Sequence, residues 1–225
     1  MYQDSVSNTD RVSRLRIQKT IRQSDNRYSG IRKEVAKHMV LHRIDDIPQR
    51  EITSVSFTGH RYFTPAEAAD SARLLDEIIS ILTDPEGPYK TTVFFTGGAL
   101  GFDTLAAEAV LRARENRSFI RLELLLPCKG QENAWSAEDK RRYGEIKASA
   151  DGVTVYADHY FRGCMQLRDR ALADIAELVV AWLRPDETDG GTVYTVKYAE
   201  KKGKLLLNLC PDADKAAEEL SISFS

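Results

Sequence analysis

"VFFTGGALGFDTLAAEAVLRA", residues 93–113, runs from four strand-forming residues through three glycines into a segment rich in alanine and leucine. Val93, Phe94, Phe95 and Thr96 are β-branched or aromatic, the types that fit a pleated surface. From Phe102 onward the apolar residues recur at helical spacing. Gly97, Gly98 and Gly101 stand where strand becomes helix, and Asp103 lies just inside. Glycine loses more chain freedom on ordering than any other residue. A cluster of three at one junction therefore has either to serve the turn itself or to let the backbone approach a ligand.

The same unit recurs along the chain. "ITSVSFTGHR" (52–61) reads as a strand ending in a glycine turn. "TPAEAADSARLLDEIISILTD" follows, with Thr64 as cap, Pro65 at the first helical position and Glu67 three residues after the cap, a capping box with a helix behind it. "IRLELLLPC", "GVTVYAD", "ELVVAWL" and "KLLLNLC" read as further strands, separated by "SAEDKRRYGEIKASA", "CMQLRDRALADIA" and "GTVYTVKYAEKKG" as helices. Strands that alternate with helices of ten or more residues, several of them continuously apolar, predict a mostly parallel sheet covered on both faces. The expected architecture is an open three-layer α/β fold of Rossmann-like type, with six strands and five helices.

Residues 1–50 have a different character. They are rich in Ser, Asn, Asp and Arg, and basic residues outnumber acidic ones from Arg11 to Lys37. Val12, Leu15, Ile17 and Ile21 trace a weak helical face, "GIRKEVAKHMVLHRI" reads as a second short helix, and Pro48 punctuates the junction. The expected division is a basic N-terminal extension over 1–50, a helical or partly ordered arm, and a Rossmann-like domain over 51–225.

The chain of 225 residues is 42% hydrophobic and 29% charged, enough for an ordinary core. Its net charge of −2 argues against a nucleic-acid footprint spread over the whole surface. Cys128, Cys164 and Cys210 are an odd count without a CxxC spacing, which fits a reducing compartment, and no apolar run approaches the ~18 residues of a membrane span. A cytoplasmic protein without a membrane partner is expected. His38 and His42 lie four apart but lack the glutamate of H-E-x-x-H, so no metal site is expected.

Ligands of open parallel sheets bind beyond the carboxyl ends of the strands, where loops meet helix N-termini whose unpaired N–H groups suit an anion. Three glycine-bearing loops fall there: "FTGHR", "FTGGALGFD" and "DETDGGTVYT". Together with charged residues on the adjoining helices they nominate Gly59, His60, Arg61, Gly97, Gly98, Gly101, Asp103, Glu108, Arg168, Gly190, Gly191 and Thr192 as ligand-binding residues. For several of them a structural reading stands beside the functional one. Asp103 either caps its helix or holds ribose hydroxyls. Arg168 either grips a phosphate or pairs with an acid such as Glu177. Tyr156, Tyr160 and Phe161 either wall a base or pack beneath their loop. No G-x-G-x-x-G, P-loop or G-x-S-x-G motif occurs, so no dinucleotide or other cofactor is expected.

"SFTGHR" (56–61), "FFTGGALGFDTLAAE" (94–108), "MQLRDRALADIAELVVAW" (165–182) and "GGTVYTVKYA" (190–199) together resemble the SLOG superfamily, the Rossmann-like group that includes the DprA/Smf DNA-processing proteins and the LOG phosphoribohydrolases. Within it the chain is similar to the YpsA-like family. The resemblance implies a pocket for a nucleotide or a nucleotide derivative, ADP-ribose-like, built from the three loops. It also exposes a departure. The phosphoribohydrolase branch carries P-G-G-x-G-T-x-x-E, and here the segment reads "DGGTVYTV", with Thr195 where the glutamate is expected. A threonine cannot act as a carboxylate general acid or stabilise an oxocarbenium-like charge. The expected function is thus a non-catalytic nucleotide-binding or sensing module. The alternatives are an N-glycosidase acting on nucleoside monophosphates and a DprA-like protein contacting nucleic acid through the basic arm. Self-association is left open.

Overall fold

The computed structural model describes residues 40–211. Over them the chain forms seven strands, β1 (Val40–Leu41), β2 (Ser54–Gly59), β3 (Val93–Thr96), β4 (Arg121–Leu126), β5 (Gly152–Val155), β6 (Leu178–Trp182) and β7 (Leu205–Asn208). Five α-helices join them: α1 (Pro65–Leu82), α2 (Phe102–Asn116), α3 (Ala137–Ser149), α4 (Cys164–Ile175) and α5 (Gly191–Lys201). Every strand pair is parallel, in the order β1-β7-β6-β2-β3-β4-β5. This is the α/β Rossmann-like architecture that the alternating pattern predicts.

Local chemistry explains where the helices begin. α1 opens on the predicted capping box: the Thr64 hydroxyl accepts the Glu67 N–H at 3.2 Å, and the Glu67 carboxylate accepts the Thr64 N–H at 2.8 Å. α3 starts at Ser136, whose hydroxyl accepts the Asp139 N–H at 3.1 Å. α2, α4 and α5 are different. They start at Gly101, Gly163 and Gly190, with no side chain closing the first turn, so their leading N–H groups are left for other partners.

The sheet core explains the continuous apolar runs. All five residues of β6, Leu178–Trp182, are buried, because parallel strands are covered on both faces. Phe102 sits in an aromatic cluster, its ring centroid 6.4 Å from Phe57, 6.4 Å from Phe63 and 6.2 Å from Trp182. Trp182 therefore belongs to the core. Gly59 lies beside Trp182 in the sheet register, and a Cβ on it would fall 2.5 Å from Cβ of Phe102. Its missing side chain lets α2 close onto the end of β2.

The segment before residue 50 brings a correction. Within "GIRKEVAKHMVLHRI", read as a helix, Val40 and Leu41 form an edge strand paired with Leu206 and Leu207 of β7. A two-residue strand carries no periodicity to detect, and the edge of β7 supplies the hydrogen bonds that define it. Ile47 and Ile52 are buried, and the Tyr89 hydroxyl donates to the Ile47 carbonyl at 3.1 Å. Residues 40–50 thus pack with the sheet. The remaining expectations for the arm, its helical face and His38 included, lie outside the described residues.

Candidate functional site

The chain path creates one crevice. From β2 it moves outward through β3, β4 and β5, then returns to place β6 on the other side of β2. Loops after β2 and β6 leave in opposite directions, and the gap between them is where open α/β sheets bind ligands. A cavity of about 480 Å³ occupies it, within the usual range for small-molecule sites. Its lining comes from the end of β2 (Thr58 to Arg61), from Ala99 in the loop after β3, from α2 (Asp103), from α4 (Met165, Gln166, Arg168, Asp169, Leu172) and from the segment Glu187 to Tyr194. The three helices without side-chain caps are the three that contribute to this wall.

The loops are tied together by Arg184, which the sequence reading did not single out. Its Nε donates to Glu67 Oε1 at 2.8 Å and its Nη2 to the Tyr62 carbonyl at 2.9 Å. The Arg184 N–H donates to Nε2 of His60 at 3.2 Å. Nε2 is therefore an acceptor, which assigns the neutral ring with its proton on Nδ1. Burial first, and Arg184 second, push the His60 pKa below its ordinary value. His60 enters the cavity wall as a neutral donor, not as a cation.

Opposite it, Arg168 is buried among two acids. Its Nε donates to Asp169 Oδ1 at 2.8 Å, and Nη1 lies 3.6 Å from Asp103 Oδ2 without forming a hydrogen bond. Asp103 also accepts the Ala99 N–H at 3.2 Å. Burial pushes the carboxyls of Asp103 and Asp169 above their ordinary range, and Arg168 opposes that rise in both. Glu177, the other partner considered for Arg168, instead accepts from the N–H and hydroxyl of Thr53.

The glycines divide into two kinds, and this answers the question raised by residues 97–101. A Cβ on Gly97 would fall 1.5 Å from Arg168 Nη1, and one on Gly101 2.3 Å from the His60 carbonyl oxygen. Gly101 also has φ of 75°, which side-chain-bearing residues rarely adopt. These two glycines make room for the protein's own chain. Gly97, Gly98 and Gly101 do not line the cavity. Gly190 and Gly191 do. A Cβ on Gly190 would meet nothing within 4 Å, and one on Gly191 only Asp169 Oδ2 at 3.6 Å.

Of the predicted residues, the cavity brings together Gly59, His60, Arg61, Asp103, Arg168, Gly190, Gly191 and Thr192. Glu108 does not reach it. It projects from α2 toward α3, where its carboxylate takes Nε and Nη2 of Arg142. It stands five residues, roughly 1.4 turns of helix, beyond Asp103, the residue of α2 that meets the crevice. Tyr156, Tyr160 and Phe161 are also absent from the lining, and Tyr160 and Phe161 are exposed. Asp169, Glu187, Asp189 and Tyr194 were missed. Asp169 adjoins a nominated arginine, but helical geometry, not spacing from a glycine, brings it into the wall. Among the described residues no group of three or more His, Cys, Asp or Glu side chains could hold a metal ion, and no helix is long and apolar enough to cross a membrane.

The wall is mixed in charge: Arg61 and Arg168 face Asp103, Asp169, Glu187 and Asp189. At the α5 end the first N–H groups of Gly191, Thr192 and Val193 precede the first intrahelical bond, from Tyr194 N–H to the Gly190 carbonyl at 2.9 Å. That end suits an anion, and the carboxylates across from it suit hydroxyl donors.

Comparison with known proteins places the chain in a family and matches its fold. The YpsA family model, described as the YspA SLOG family, matches residues 73–205. The uncharacterized SPbeta prophage-derived protein YoqJ of Bacillus subtilis is 27% identical over 157 residues, covering 62% of this chain and 89% of that protein. A UPF0398 protein of Halalkalibacterium halodurans is 32% identical over 75 residues, 33% of this chain and 40% of its own length. Among solved structures, DNA processing protein A from Helicobacter pylori, described for its single-stranded DNA binding mode, has a TM-score of 0.51 at 18% identity. The match covers 74% of this chain and 72% of that one, and the likeness is one of fold.

Proposed function

The chain belongs to the YspA SLOG family, and from that premise we propose that the crevice binds a nucleotide or nucleotide derivative, ADP-ribose-like, without converting it. The observation that carries this reading is the pairing of two unlike ends in one cavity. The α5 N-terminus, opened by Gly190 and Gly191, offers backbone donors to a phosphate. Asp103 and Asp169 offer acceptors to sugar hydroxyls, and Arg168 between them keeps an Nη1 without a hydrogen bond. A simple polyanion would be repelled by the four carboxylates, whereas a ligand with both phosphate and hydroxyls uses both ends. The three buried thiols fit a cytoplasmic setting.

The non-catalytic reading rests on Thr195, which is fully buried and donates its hydroxyl to the Gly191 carbonyl at 2.8 Å. It braces the first turn of α5 and carries no transferable carboxyl proton. Thermal unfolding with AMP, ADP and ADP-ribose tests the proposal. A ligand at about a hundred times its Kd adds about 2.7 kcal/mol to the native state, a rise of about 5–11 °C for a domain of this size. Gly191→Val should abolish the rise, because its side chain enters the cavity, and should leave the unliganded melting temperature within a few degrees. Glu108→Gln should leave the rise intact. If no nucleotide moves the transition, the binding reading is wrong. Release of free base from AMP would instead favour a glycosidase, and retardation of single-stranded DNA would favour the nucleic-acid alternative.

A further inference from the structure

Tyr194 is the first side chain of α5 beyond the glycine-rich turn that lies in the cavity wall and presents an aromatic ring. It is 36% exposed, yet it is not loosely held. Tyr198, one turn further along, lies nearly parallel to it, with centroids 6.5 Å apart and an interplanar angle of 14°. Tyr198 is itself anchored: its hydroxyl bonds the Asp174 carboxylate at 3.0 and 3.2 Å, and the Lys202 ammonium stands 5.4 Å from its ring centroid. The column Tyr194–Tyr198 is thus fixed at its C-terminal end. Tyr198 occupies the side of Tyr194 toward the end of the helix, so the side left for another group is toward the N-terminus and the cavity.

We propose that Tyr194 is a specificity-determining residue that stacks the nucleobase of the ligand, so that the site selects nucleoside phosphates over sugar phosphates; this rests on the nucleotide-binding reading above. The spacing supports it. The Gly191 and Thr192 N–H groups stand only two to three residues before Tyr194, ~3–4.5 Å of helix rise, so a phosphate seated on them lies within the reach of a single sugar between a 5′-phosphate and a base on that ring. The sugar then passes the carboxylates of Asp103 and Asp169. A π-face held by packing loses little freedom when a base stacks on it, so the contact favours binding. A sugar phosphate lacking a base uses the same phosphate and hydroxyl contacts but leaves the ring wet.

The test compares AMP with ribose 5-phosphate by titration calorimetry on the full chain. Alanine substitution at base-stacking aromatics corresponds to about fivefold to more than a hundredfold in affinity. AMP should bind at least about tenfold more tightly than ribose 5-phosphate to the wild type. Tyr194→Ala should remove most of that preference while leaving ribose 5-phosphate unchanged, and Tyr194→Phe should retain it. Tyr194→Leu, which keeps apolar bulk without a π-face, serves as the second variant and should also lose the preference. Equal affinities in the wild type, or equal loss for both ligands on substitution, would overturn the role of Tyr194 and leave the nucleotide site standing. Failure of both ligands to bind would overturn this inference, and the site reading falls with it when ADP and ADP-ribose also leave the thermal transition unmoved.

Discussion

Replacing Gly97 by alanine isolates the contact that explains the glycine-rich turn. Gly97 is not among the residues of positive φ, so alanine is conformationally permitted and the entire cost is one of contact. The added Cβ would stand 1.5 Å from Nη1 of Arg168, 2.4 Å from its Cζ and 2.8 Å from Asp103 Oδ2. Two responses are open. The end of β3 can shift, an overpacking cost of about 1–3 kcal/mol, but the strand is pinned on both sides by β2 and β4. Alternatively the guanidinium can leave, which strips two buried acids of their counter-charge at about 3–5 kcal/mol. A loss near 3 kcal/mol is expected, equivalent to a fall of about 6–12 °C in melting temperature. Urea unfolding at pH 7 measures it. The loss should shrink at pH 5, because the carboxyls of Asp103 and Asp169, already raised by burial, take up protons more readily once Arg168 is displaced. In an Arg168→Ala background the clash is gone, and the same substitution should cost less than about 1 kcal/mol. Gly144→Ala is the control: within α3 its Cβ meets nothing within 4 Å, so it should stabilise by about 0.5–1 kcal/mol. An equal loss with and without Arg168, or a Gly97→Ala protein that melts within 2 °C or so of the wild type, would refute the packing argument.

Two further outcomes follow from the loops around the crevice. Asn208 bonds both the N–H (2.9 Å) and the carbonyl (2.8 Å) of Leu183, holding the start of the segment that carries Glu187 and Asp189 to the cavity. Asn208→Ala leaves both backbone groups unpaired and should cost about 2–3 kcal/mol by chemical denaturation, with weaker ligand stabilisation in the same assay. The Glu67 carboxyl is held down to about 2, chiefly by Arg184 and then by Thr64. As the pH falls below the ordinary 4.5 the unfolded chain takes up this proton first, so the contribution of Glu67 is complete above 4.5 and is lost toward pH 2. Glu67→Gln should flatten the acid limb of stability against pH between those values; an unchanged slope would show that the Arg184–Glu67 pair does not carry it.

Local pattern alone determined the layered α/β fold. Apolar runs such as "LVVAW" are legible because a strand covered on both faces has no polar side to show, and the capping box at Thr64 and Glu67 is legible because its partners are three residues apart. The positions of His60, Asp103, Arg168 and Gly190 at one rim were also legible, since strand–loop–helix order alone puts such residues at the carboxyl edge. Tertiary structure decided what each one does there. Gly97 and Gly191 look alike in sequence, but one accommodates a guanidinium from a helix 71 positions away, counting from Arg168 back to Gly97, and the other borders open space. Glu108 carries the right charge on the right helix and turns away to Arg142, while Asp169 and Tyr194 enter the wall through the packing of α4 and α5. The edge strand at Val40 exists only because β7 has an unpaired side. The physical reason is common to all of these. Element type follows from neighbours a few residues apart, whereas which side chains share a cavity depends on crossovers that join distant segments, and no local pattern encodes those distances.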